Sequence, residues 1–426
     1  MEMEHATRYC SGMIFRYPRR CVGLAIVSLV VSACLAAVGG LATAGTIVTQ
    51  AQNQRMSSLL NRGPLDIYVA TGPENACGPG CSEWIAVEGK IDVGSGRRFR
   101  AFLDSERRRK LPVFFHTQGG VLADGIEIGQ LLRDYQMTAG VGRTAPAGCT
   151  VARLPGGNCD KLVKSGNAVP SQLVFDGGQC HSACVFALAG ATTRKIAAGA
   201  VIGIHAPATD EQMWKRHVDK FPGAQRLSEE ERHQGLWRLA LGFGIDPDVV
   251  DLARKISNKS LYLLNREEIA RFGFQTGDRF ETRWFARGEP GSKFSLLKAV
   301  STANSDGNGL STTVFQFNCA AAGGYRLTVF SPLPGREIWP QSYARLHAGE
   351  TSLALSTGSY GRNADAHWVA VAQIVGFQNI AAEREAKFTI NFNSDAHPPR
   401  TTSFSTSGLA AALRELQNNC GHRKVT

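Results

Sequence analysis

Two stretches of sequence decide the fold. Residues 112–132 are PVFFHTQGGVLADGIEIGQLL, and residues 175–190 are FDGGQCHSACVFALAG. In each stretch a strand-like apolar run is followed by a pair of glycines and then by an apolar segment that can form a helix. A strand followed closely by a helix is the repeating unit of α/β domains, whose central strands are largely parallel. The two stretches therefore predict an α/β core.

The same alternation extends outward from these stretches, from about residue 64 to residue 280. Strands are predicted for five short apolar runs, LDIYVA, WIAVEGKI, LPVFFHT, SQLVFDG and GAVIGIH. Helices are predicted at 122–135, 182–190, 211–220, 228–243, 247–257 and 266–272. We therefore assign residues 64–280 to a single α/β domain.

After about residue 285 the alternation of predicted strands and helices ends. Six strand-like runs follow one another, separated by Gly, Asn, Asp and Ser: SKFSLLKAV, STTVFQFNC, GYRLTVFSP, TSLALST, HWVAVAQIV and KFTINFN. One helix is predicted after them, at 408–419. The pattern predicts a small β-rich domain at residues 290–426 that ends in a helix, and it does not indicate what this domain does.

Composition excludes several classes of protein. The chain has 426 residues, of which 43% are hydrophobic and 19% charged, so it can build a core and is not wholly disordered. Its 46 glycines follow no fibrous period, and no repeat typical of a solenoid stands out. The net charge of +11 comes from scattered side chains, whereas nucleic-acid binding needs a basic face. We therefore predict no nucleic-acid partner.

Residues 1–50 predict export from the cytoplasm. No charged residue lies between Arg20 and Arg55, and the apolar run at 22–48 follows a basic cluster. The small residues at 42–44 complete the pattern of a cleavable signal peptide. The run is also nearly long enough to span a bilayer, so an uncleaved membrane anchor is the alternative. Both interpretations place the rest of the chain outside the cytoplasm, either free in the periplasm or anchored to the inner membrane.

The cysteines agree with an oxidising compartment. Those after residue 50 are Cys77, Cys81, Cys149, Cys159, Cys180, Cys184, Cys319 and Cys420. An even number of cysteines in an exported chain predicts disulfides. Cys149 could pair with Cys159 across its loop and Cys319 with Cys420 over a long range, but the sequence leaves the connectivity open. The two C-x3-C pairs could instead bind zinc, although zinc sites usually use C-x2-C spacing. We favour disulfides and predict no metal site.

Ser182 is the candidate nucleophile. It follows a strand predicted at 171–176 and opens an apolar helix, so its Oγ lies beside the positive end of the helix and the N–H of Ala183 is free to donate. Such a serine is either a plain N-cap or a nucleophile whose oxyanion hole uses the N–H of the next residue. Cys184 is another possible nucleophile, but the nearby Cys180 favours a disulfide.

Two further segments supply the groups that a nucleophilic serine needs. Gly119 and Gly120 follow a strand, where their backbone N–H groups can point at an oxyanion, although such a pair also occurs in ordinary turns. His205 ends the strand predicted at 200–204. Because the carboxyl ends of parallel strands meet at one edge of the sheet, His205 is expected to lie near Ser182 and act as its base. A structural histidine is the alternative.

Taken in order, TQGGVLADGIEIGQLL, GQCHSACVFALAG and GIHAP resemble the proteolytic subunit of Clp protease and its relatives in the crotonase superfamily. The segment LLNREEIARFGF at 263–274 is similar to the closing segment of that family. More narrowly, the C-x-S-A-C segment and the export signal resemble bacterial periplasmic members of the group. The resemblance covers about residues 64–280 and implies the Clp/crotonase-like ββα superhelix fold.

The resemblance also implies roles for individual residues. It makes Ser182 the nucleophile and His205 the general base. It makes the backbone N–H groups of Gly119, Gly120 and Ala183 the oxyanion donors.

The group that orients the histidine departs from the family pattern. In the Clp family an aspartate orients it, but the corresponding stretch here, KISNKSLYLL, carries no acid in register. Asn258 or Ser260 could accept the imidazole hydrogen bond instead, and Asp251 is the nearest carboxylate. A neutral orienter stabilises the imidazolium less than a carboxylate does, so slow turnover or inactivity is expected.

These observations predict an exported serine hydrolase, a peptidase that acts on a peptide or protein substrate without a cofactor. The resemblance also implies a homo-oligomer, with residues 210–257 as an assembly or lid region. One alternative is a catalytically degenerate, Clp-like binding or scaffold protein of the cell envelope, which the missing acid favours. The other is a crotonase-type acyl-thioester enzyme, which would need a cleft for coenzyme A and which the predicted export disfavours.

Overall fold

The chain is mixed α/β. The computed structural model describes residues 44–53, 63–149, 157–207, 228–277, 279–291, 293–303, 310–320, 325–332, 343–359, 367–374, 378–391 and 399–420. Contacts group residues Ala44–Thr426 into one compact unit. Most of the predicted signal or anchor (residues 1–43) and the helix predicted at 211–220 lie outside the described residues. None of the helices within the described ranges has the length and apolar character needed to cross a membrane.

Eleven of the described strands form two sheets in the α/β part. In chain order they are β1 (Thr46–Val48), β2 (Asp66–Thr71), β3 (Glu83–Glu88), β4 (Val113–His116), β5 (Thr138–Val141), β6 (Arg143–Pro146), β7 (Val169–Val174), β8 (Gln179–His181), β9 (Thr193–Lys195), β10 (Val201–Ile204) and β11 (Leu261–Leu263). The larger sheet has the order β6-β7-β2-β3-β4-β5-β9, with β3, β4, β5 and β9 parallel. The smaller sheet has the order β1-β11-β10-β8, with β8 and β10 parallel.

Five of the six predicted helices lie within the described ranges and are present, and three short helices are present that the sequence pattern does not predict, at 95–102, 106–109 and 158–163. They are α1 (Ser95–Phe102), α2 (Glu106–Arg109), α3 (Leu122–Asp134), α4 (Asn158–Val163), α5 (Ala183–Gly190), α6 (Glu229–Gly242), α7 (Asp248–Arg254) and α8 (Arg266–Arg271). Ser228 and Asn265 begin α6 and α8 with capping boxes, in which the side chain accepts the backbone N–H three residues on. Local capping thus explains where these two helices begin.

A strand, a short bridging segment and a helix recur in order along the α/β part. After β3, Ile91 forms a parallel bridge with Gly120 before α1 begins. After β4, Thr117 forms a parallel bridge with Cys180 before α3 begins. The β8 strand and α5 then lead to β9 and on to β10. The bridging segments therefore lie beside the smaller sheet, and each helix returns the chain to the larger one.

The core of this part lies between the helices and the sheets. Strands β3 and β4 are almost fully buried, and α5 is buried at seven of its eight residues. Helix α3 can approach α5 closely because Gly125 and Gly129 have no Cβ. A Cβ at these positions would touch the backbone carbonyl of Ala183 or Phe186, respectively. Close helix packing thereby fixes the position of α5, which begins immediately after Ser182.

Arg194, at the centre of β9, is a buried cation held by carbonyl groups. It is 2% exposed, and its guanidinium donates to the carbonyl oxygens of Ala189, Ala191 and Gly273 at 2.6–2.9 Å. Burial lowers the pKa of Arg194 to about 9, so the side chain remains charged at neutral pH. These bonds join the end of α5 to the turn that follows α8.

The C-terminal part is built on a ten-stranded antiparallel sheet. Its strands are β12 (Arg279–Glu281), β13 (Phe285–Arg287), β14 (Ser295–Ala303), β15 (Leu310–Cys319), β16 (Tyr325–Pro332), β17 (Tyr343–Ala348), β18 (Thr351–Ser359), β19 (His367–Ile374), β20 (Glu385–Asn391) and β21 (Arg400–Ser405). Two helices accompany them, α9 (Gln378–Ala382) and α10 (Leu409–Asn419). Leu409 and Leu416 of α10 are fully buried in a core with Phe315 and Phe388.

The two parts contact each other directly. Arg133 of α3 donates to the carbonyl oxygen of Phe243 at 2.6 Å and to Thr312 Oγ1 of β15 at 3.2 Å. Trp237 of α6 packs edge-on against Phe285 of β13, with ring centroids 5.1 Å apart. The division into separate domains at 64–280 and 290–426 stays a prediction.

The structure differs from the sequence-based prediction at the end of the N-terminal apolar run. Thr46–Val48 form strand β1, which pairs with Leu261–Leu263, and Val48 is 7% exposed. Within this strand Val48 is buried, whereas Ile47 is exposed. Strand β1 thus belongs to the smaller sheet of the α/β part.

The eight predicted cysteines form four disulfides. They pair as Cys77–Cys81, Cys149–Cys159, Cys180–Cys184 and Cys319–Cys420. Both C-x3-C pairs are therefore disulfides, and because metal ligation requires free thiolates, the structure does not support the zinc alternative. Four disulfides indicate an oxidising, extracytoplasmic environment.

The Cys319–Cys420 bridge joins cysteines separated by 101 positions in the sequence and ties the end of α10 to β15. Replacing both cysteines by serine should lower the free energy of unfolding of the C-terminal part by about 2–5 kcal/mol, because the bridge restricts the unfolded chain. Urea unfolding monitored by tryptophan fluorescence measures the loss. An unchanged unfolding midpoint would contradict this stabilising role.

Candidate functional site

Ser182 has a backbone conformation that residues other than glycine rarely adopt. Its φ is 55° and its ψ is −119°, and only Asn75 and Gln136 among the described non-glycine residues share a positive φ. Such a conformation costs on the order of 1–3 kcal/mol and persists only where the surroundings hold it. A serine at a sharp, strained turn from strand to helix is also the geometry that presents a nucleophile.

Hydrogen bonds hold this turn from both sides. The Ser182 N–H donates to the carbonyl oxygen of Gly203 in β10 at 2.8 Å, and the Ser182 carbonyl accepts the N–H of Val185 at 3.0 Å. The first bond continues the parallel pairing of β8 with β10, and the second starts α5. Ser182 itself is half-buried, so its hydroxyl is not sealed inside the core.

Gly119 packs directly against the turn. With φ at 83°, its backbone lies so close that a Cβ would touch the carbonyl oxygen of His181 and come within 2.8 Å of Ser182 Cβ and 2.9 Å of the Ala183 nitrogen. Any larger residue would have to displace this backbone, so the position requires glycine for both its dihedral angle and its close approach. The first glycine of the pair therefore has a packing role.

The two predicted glycine donors differ in their hydrogen bonding. The Gly119 N–H donates to Thr117 Oγ1 at 3.0 Å, so it is already used inside the protein. The N–H groups of Gly120 and Ala183 have no acceptor among the described residues, and Gly120 is exposed. These two are thus the groups that remain able to bind an oxyanion beside Ser182.

His205 lies at the carboxyl end of β10, the strand next to β8. Gly203 pairs with His181, so the pairing brings the residues after each strand, His205 and Ser182, to the same edge of the smaller sheet. The Ala206 N–H donates to the carbonyl oxygen of Ile256 at 2.9 Å, which fixes the backbone after the histidine. Like Ser182, His205 is half-buried.

The acceptor that orients His205 is a backbone carbonyl. His205 Nδ1 lies 2.7 Å from the carbonyl oxygen of Ala206. A carbonyl can only accept, so Nδ1 carries the proton and Nε2 of the neutral ring keeps its lone pair. This is the tautomer that a general base needs.

The predicted orienters are not brought to this ring. Asn258 is exposed and has no hydrogen bond to another described residue, and Ser260 donates no side-chain bond to His205. Asp251 is engaged elsewhere, because its carboxylate accepts from His233 Nε2 at 2.8 Å and from Arg287 at 2.5 Å. The structure therefore places a carbonyl where the resemblance implied an acid.

Ser182 Oγ and the His205 imidazole share no hydrogen bond in the described part of the chain. In ligand-free enzymes the bond between nucleophile and base is often long and tightens only around bound substrate. The structure thus brings the two residues to one edge without completing the pair.

His181 is held neutral beside this edge. Burial, together with the neighbouring His116 and His205, lowers the pKa of His181 to about 3. Its Nε2 is buried without a hydrogen-bond partner among the described residues. A histidine that stays neutral and enclosed is unsuited to exchanging protons with a substrate, so His205 remains the candidate base.

Cys184 cannot be the nucleophile in this structure. It is fully buried and bonded to Cys180, and the thiolate is the reactive form of cysteine. Sequence reasoning missed Thr117, whose backbone bridges to Cys180 and whose hydroxyl holds Gly119. It also missed the Ala206 carbonyl, which has no side-chain signature to detect.

No protein-family model and no curated protein matches the chain. Among solved structures, it is similar to invasion associated protein B from Bartonella henselae, at 14% identity and a TM-score of 0.23, over 32% of this chain and 96% of that one. It is also similar to a mutant of a membrane-bound stomatin-specific protease, at 13% identity and a TM-score of 0.27, over 45% of this chain and 75% of that one. At these TM-scores, neither similarity supports an inference about the fold or the function of this chain.

Gly119→Ala should disrupt the Ser182 turn. Gly166 is a matched control, because its φ of 80° resembles that of Gly119 (83°) but a Cβ there would meet nothing within 4 Å. Gly119→Ala and Gly166→Ala both place an alanine at a positive φ, which is unfavourable to a similar extent. Gly119→Ala should lose about 2 kcal/mol more in the free energy of unfolding because its methyl group has no room. Equal losses in urea unfolding would contradict the packing role.

Acid should destabilise the site through His181. Between its pKa in the unfolded chain, about 6.5, and its folded value of about 3, the unfolded chain binds a proton that the folded one excludes. Stability should therefore fall as the pH falls through this window, by about 3 kcal/mol from this group by pH 4.5. Urea unfolding at pH 7 and pH 4.5 should show a smaller loss for His181→Gln than for the wild type, whereas equal losses would refute the assignment.

Proposed function

We propose that the chain is a serine hydrolase, with Ser182 as the nucleophile and His205 as the general base. The observation that carries the proposal is the strained conformation of Ser182 at the junction of β8 and α5. An ordinary N-cap serine has φ in the usual negative range and bonds its own helix, whereas the Ser182 side chain makes no capping bond. The strain is hard to explain by helix capping and is typical of a functional site.

The proposed reaction is acyl transfer. His205 Nε2 takes the proton of Ser182 Oγ while Oγ attacks the substrate carbonyl carbon, and the N–H groups of Gly120 and Ala183 bind the resulting oxyanion. The imidazolium then gives its proton to the leaving group as the bond to the carbonyl carbon breaks. Water, activated by the same histidine, adds to the acyl-enzyme ester and releases the acid and the free serine.

Orientation of His205 by a carbonyl is expected to make turnover slow. A carboxylate would stabilise the imidazolium by its full charge, whereas the Ala206 carbonyl contributes only a dipole. The tautomer is correct but the positive charge is less well stabilised. Turnover should therefore be slow compared with triads that contain an acid.

We also propose the Clp/crotonase fold class and a peptide or protein substrate. The fold proposal is supported by the recurring order of strand, bridging segment and helix, with Thr117 and Ile91 in the bridging positions. The substrate proposal rests on the sequence resemblance of the segments around Gly119, Ser182 and His205. Periplasmic location, membrane attachment through an uncleaved N-terminal segment and homo-oligomerisation are further parts of this proposal.

A second candidate function is a catalytically degenerate binding protein of the cell envelope. Two observations favour it, the lack of a hydrogen bond between Ser182 and His205 and the engagement of Asp251 with His233 and Arg287. The strained conformation of Ser182 favours the hydrolase, because binding alone does not require a serine in an unfavourable backbone conformation.

A fluorophosphonate probe distinguishes the two functions. The folded, disulfide-intact protein should be labelled, Ser182→Ala should abolish labelling, and His205→Gln should slow it by about 100-fold or more because the base is lost. Ser165→Ala, at an exposed position after α4, is the matched control and should label normally. The binding protein predicts no labelling at all, and labelling that survives in Ser182→Ala would overturn the assignment of the nucleophile.

A further inference from the structure

A disulfide brackets the candidate nucleophile. Cys180 lies in β8 and Cys184 in the first turn of α5, with Ser182 midway between them. The two Cα atoms are 5.3 Å apart, and both side chains are fully buried. The bridge therefore closes a five-residue ring around the strained turn.

Each end of this ring is fixed to a different element. The backbone of Cys180 pairs with Thr117 on one side and with Ile202 of β10 on the other. Cys184 belongs to the helix that α3 contacts at Gly125. The disulfide thus links the sheet edge, where the base resides, to the helix whose first N–H belongs to the oxyanion site.

The start of α5 lacks a side-chain cap. Ser182 makes no side-chain capping bond, unlike Ser228 and Asn265 at the starts of α6 and α8. A serine at this position has a relaxed alternative, an ordinary N-cap with extended backbone whose Oγ accepts an N–H of its own helix. In that state Oγ would be turned into the helix and away from His205.

We propose that the Cys180–Cys184 disulfide is a positioning element that keeps Ser182 in its reactive conformation, so that the hydrolase becomes active only once this pair is oxidised. The inference rests on the proposed hydrolase function. With the bridge closed, the relaxed N-cap is disfavoured because the short ring holds the ends of the turn. With the bridge open, Ser182 relaxes and its strain is released.

The activating step is thiol–disulfide exchange with a disulfide donor. One cysteine thiolate of the pair attacks the donor disulfide to form a mixed disulfide and release one donor thiolate. The second cysteine thiolate then attacks the mixed disulfide, which forms Cys180–Cys184 and releases the other donor thiol. The two cysteines lose two protons and two electrons, and the donor gains them. A chain with reduced thiols, as in a cytoplasm, would therefore be inactive.

Another disulfide provides a matched control. Cys77–Cys81 has the same sequence separation of 4 residues, but it lies in the connection between β2 and β3. Replacing both of its cysteines removes the same chemical group without touching the Ser182 turn.

The test compares Cys180→Ala/Cys184→Ala with Cys77→Ala/Cys81→Ala in the full chain. The first variant should lower the maximal rate of fluorophosphonate labelling by about 10-fold to 100-fold while changing the half-saturating probe concentration much less, because strain at the nucleophile affects the chemical step. The control should label at the wild-type rate. Equal rates for both variants, measured below their unfolding temperatures, would overturn the proposal.

Reversible reduction of the wild type gives a second measurement, with the variant as its control. Dithiothreitol should lower the labelling rate of the wild type, and reoxidation should restore it. The Cys180→Ala/Cys184→Ala variant should respond to neither treatment. If that variant responds as the wild type does, another disulfide is responsible and the proposal fails.

Amide hydrogen exchange separates failure of this inference from failure of the hydrolase. If the oxidised wild type is never labelled, the proposed function is wrong. Exchange at the Ser182 and Val185 amides, whose N–H groups are hydrogen-bonded at the turn, still decides whether the disulfide holds the turn. Faster exchange at these amides in Cys180→Ala/Cys184→Ala than in Cys77→Ala/Cys81→Ala supports the positioning role, and equal exchange refutes it.

Discussion

The close approach of Gly119 to the backbone of residues 181–183 is the constraint on which the candidate site depends. It is possible because Thr117 bridges to Cys180 and accepts the Gly119 N–H. With that glycine in place, the loop after β4 packs closely against the turn between β8 and α5, which contains the strained Ser182. The oxyanion donors follow from the same contact, since Gly120 continues the loop and Ala183 continues the turn.

The sequence predicts this region well because its signals are local and strong. The predicted helices at 122–135 and 182–190 match α3 and α5 within one residue at each end. The even number of cysteines and the predicted export indicate disulfides, and the two bridges suggested by the sequence, Cys149–Cys159 and Cys319–Cys420, are present. His205 and Ser182 lie at the ends of neighbouring parallel strands, and no hydrogen bond joins them. The strand before Ser182 is β8, however, and not the strand predicted at 171–176, which corresponds to β7 of the larger sheet. The different roles of Gly119 and Gly120 are not predictable, since they depend on a close contact with residues far along the chain.

Other features escape the sequence for identifiable physical reasons. Strand β17, YARLHA, has only six residues, and its sole polar side chains apart from the Tyr343 hydroxyl are Arg345 and His347, so its alternation signal is weak until β18 and β20 pair with it. His205 is oriented by a main-chain group, the Ala206 carbonyl. Every residue type has such a carbonyl, so this contact cannot be predicted from the sequence. The end of the N-terminal apolar run suits a signal segment and a buried strand equally. Hydrophobicity alone cannot distinguish the two.

Strand β1 has a consequence for how the smaller sheet is closed. It is the outermost strand, and it occupies the hydrogen-bonding edge of β11, the neighbour of the histidine-bearing β10. A chain shortened past Val48 would leave that edge with unpaired N–H and C=O groups, which are a template for any extended polypeptide. Truncated forms of the protein would thus be prone to self-association through the exposed edge of β11. In the full chain, pairing with β1 protects this edge.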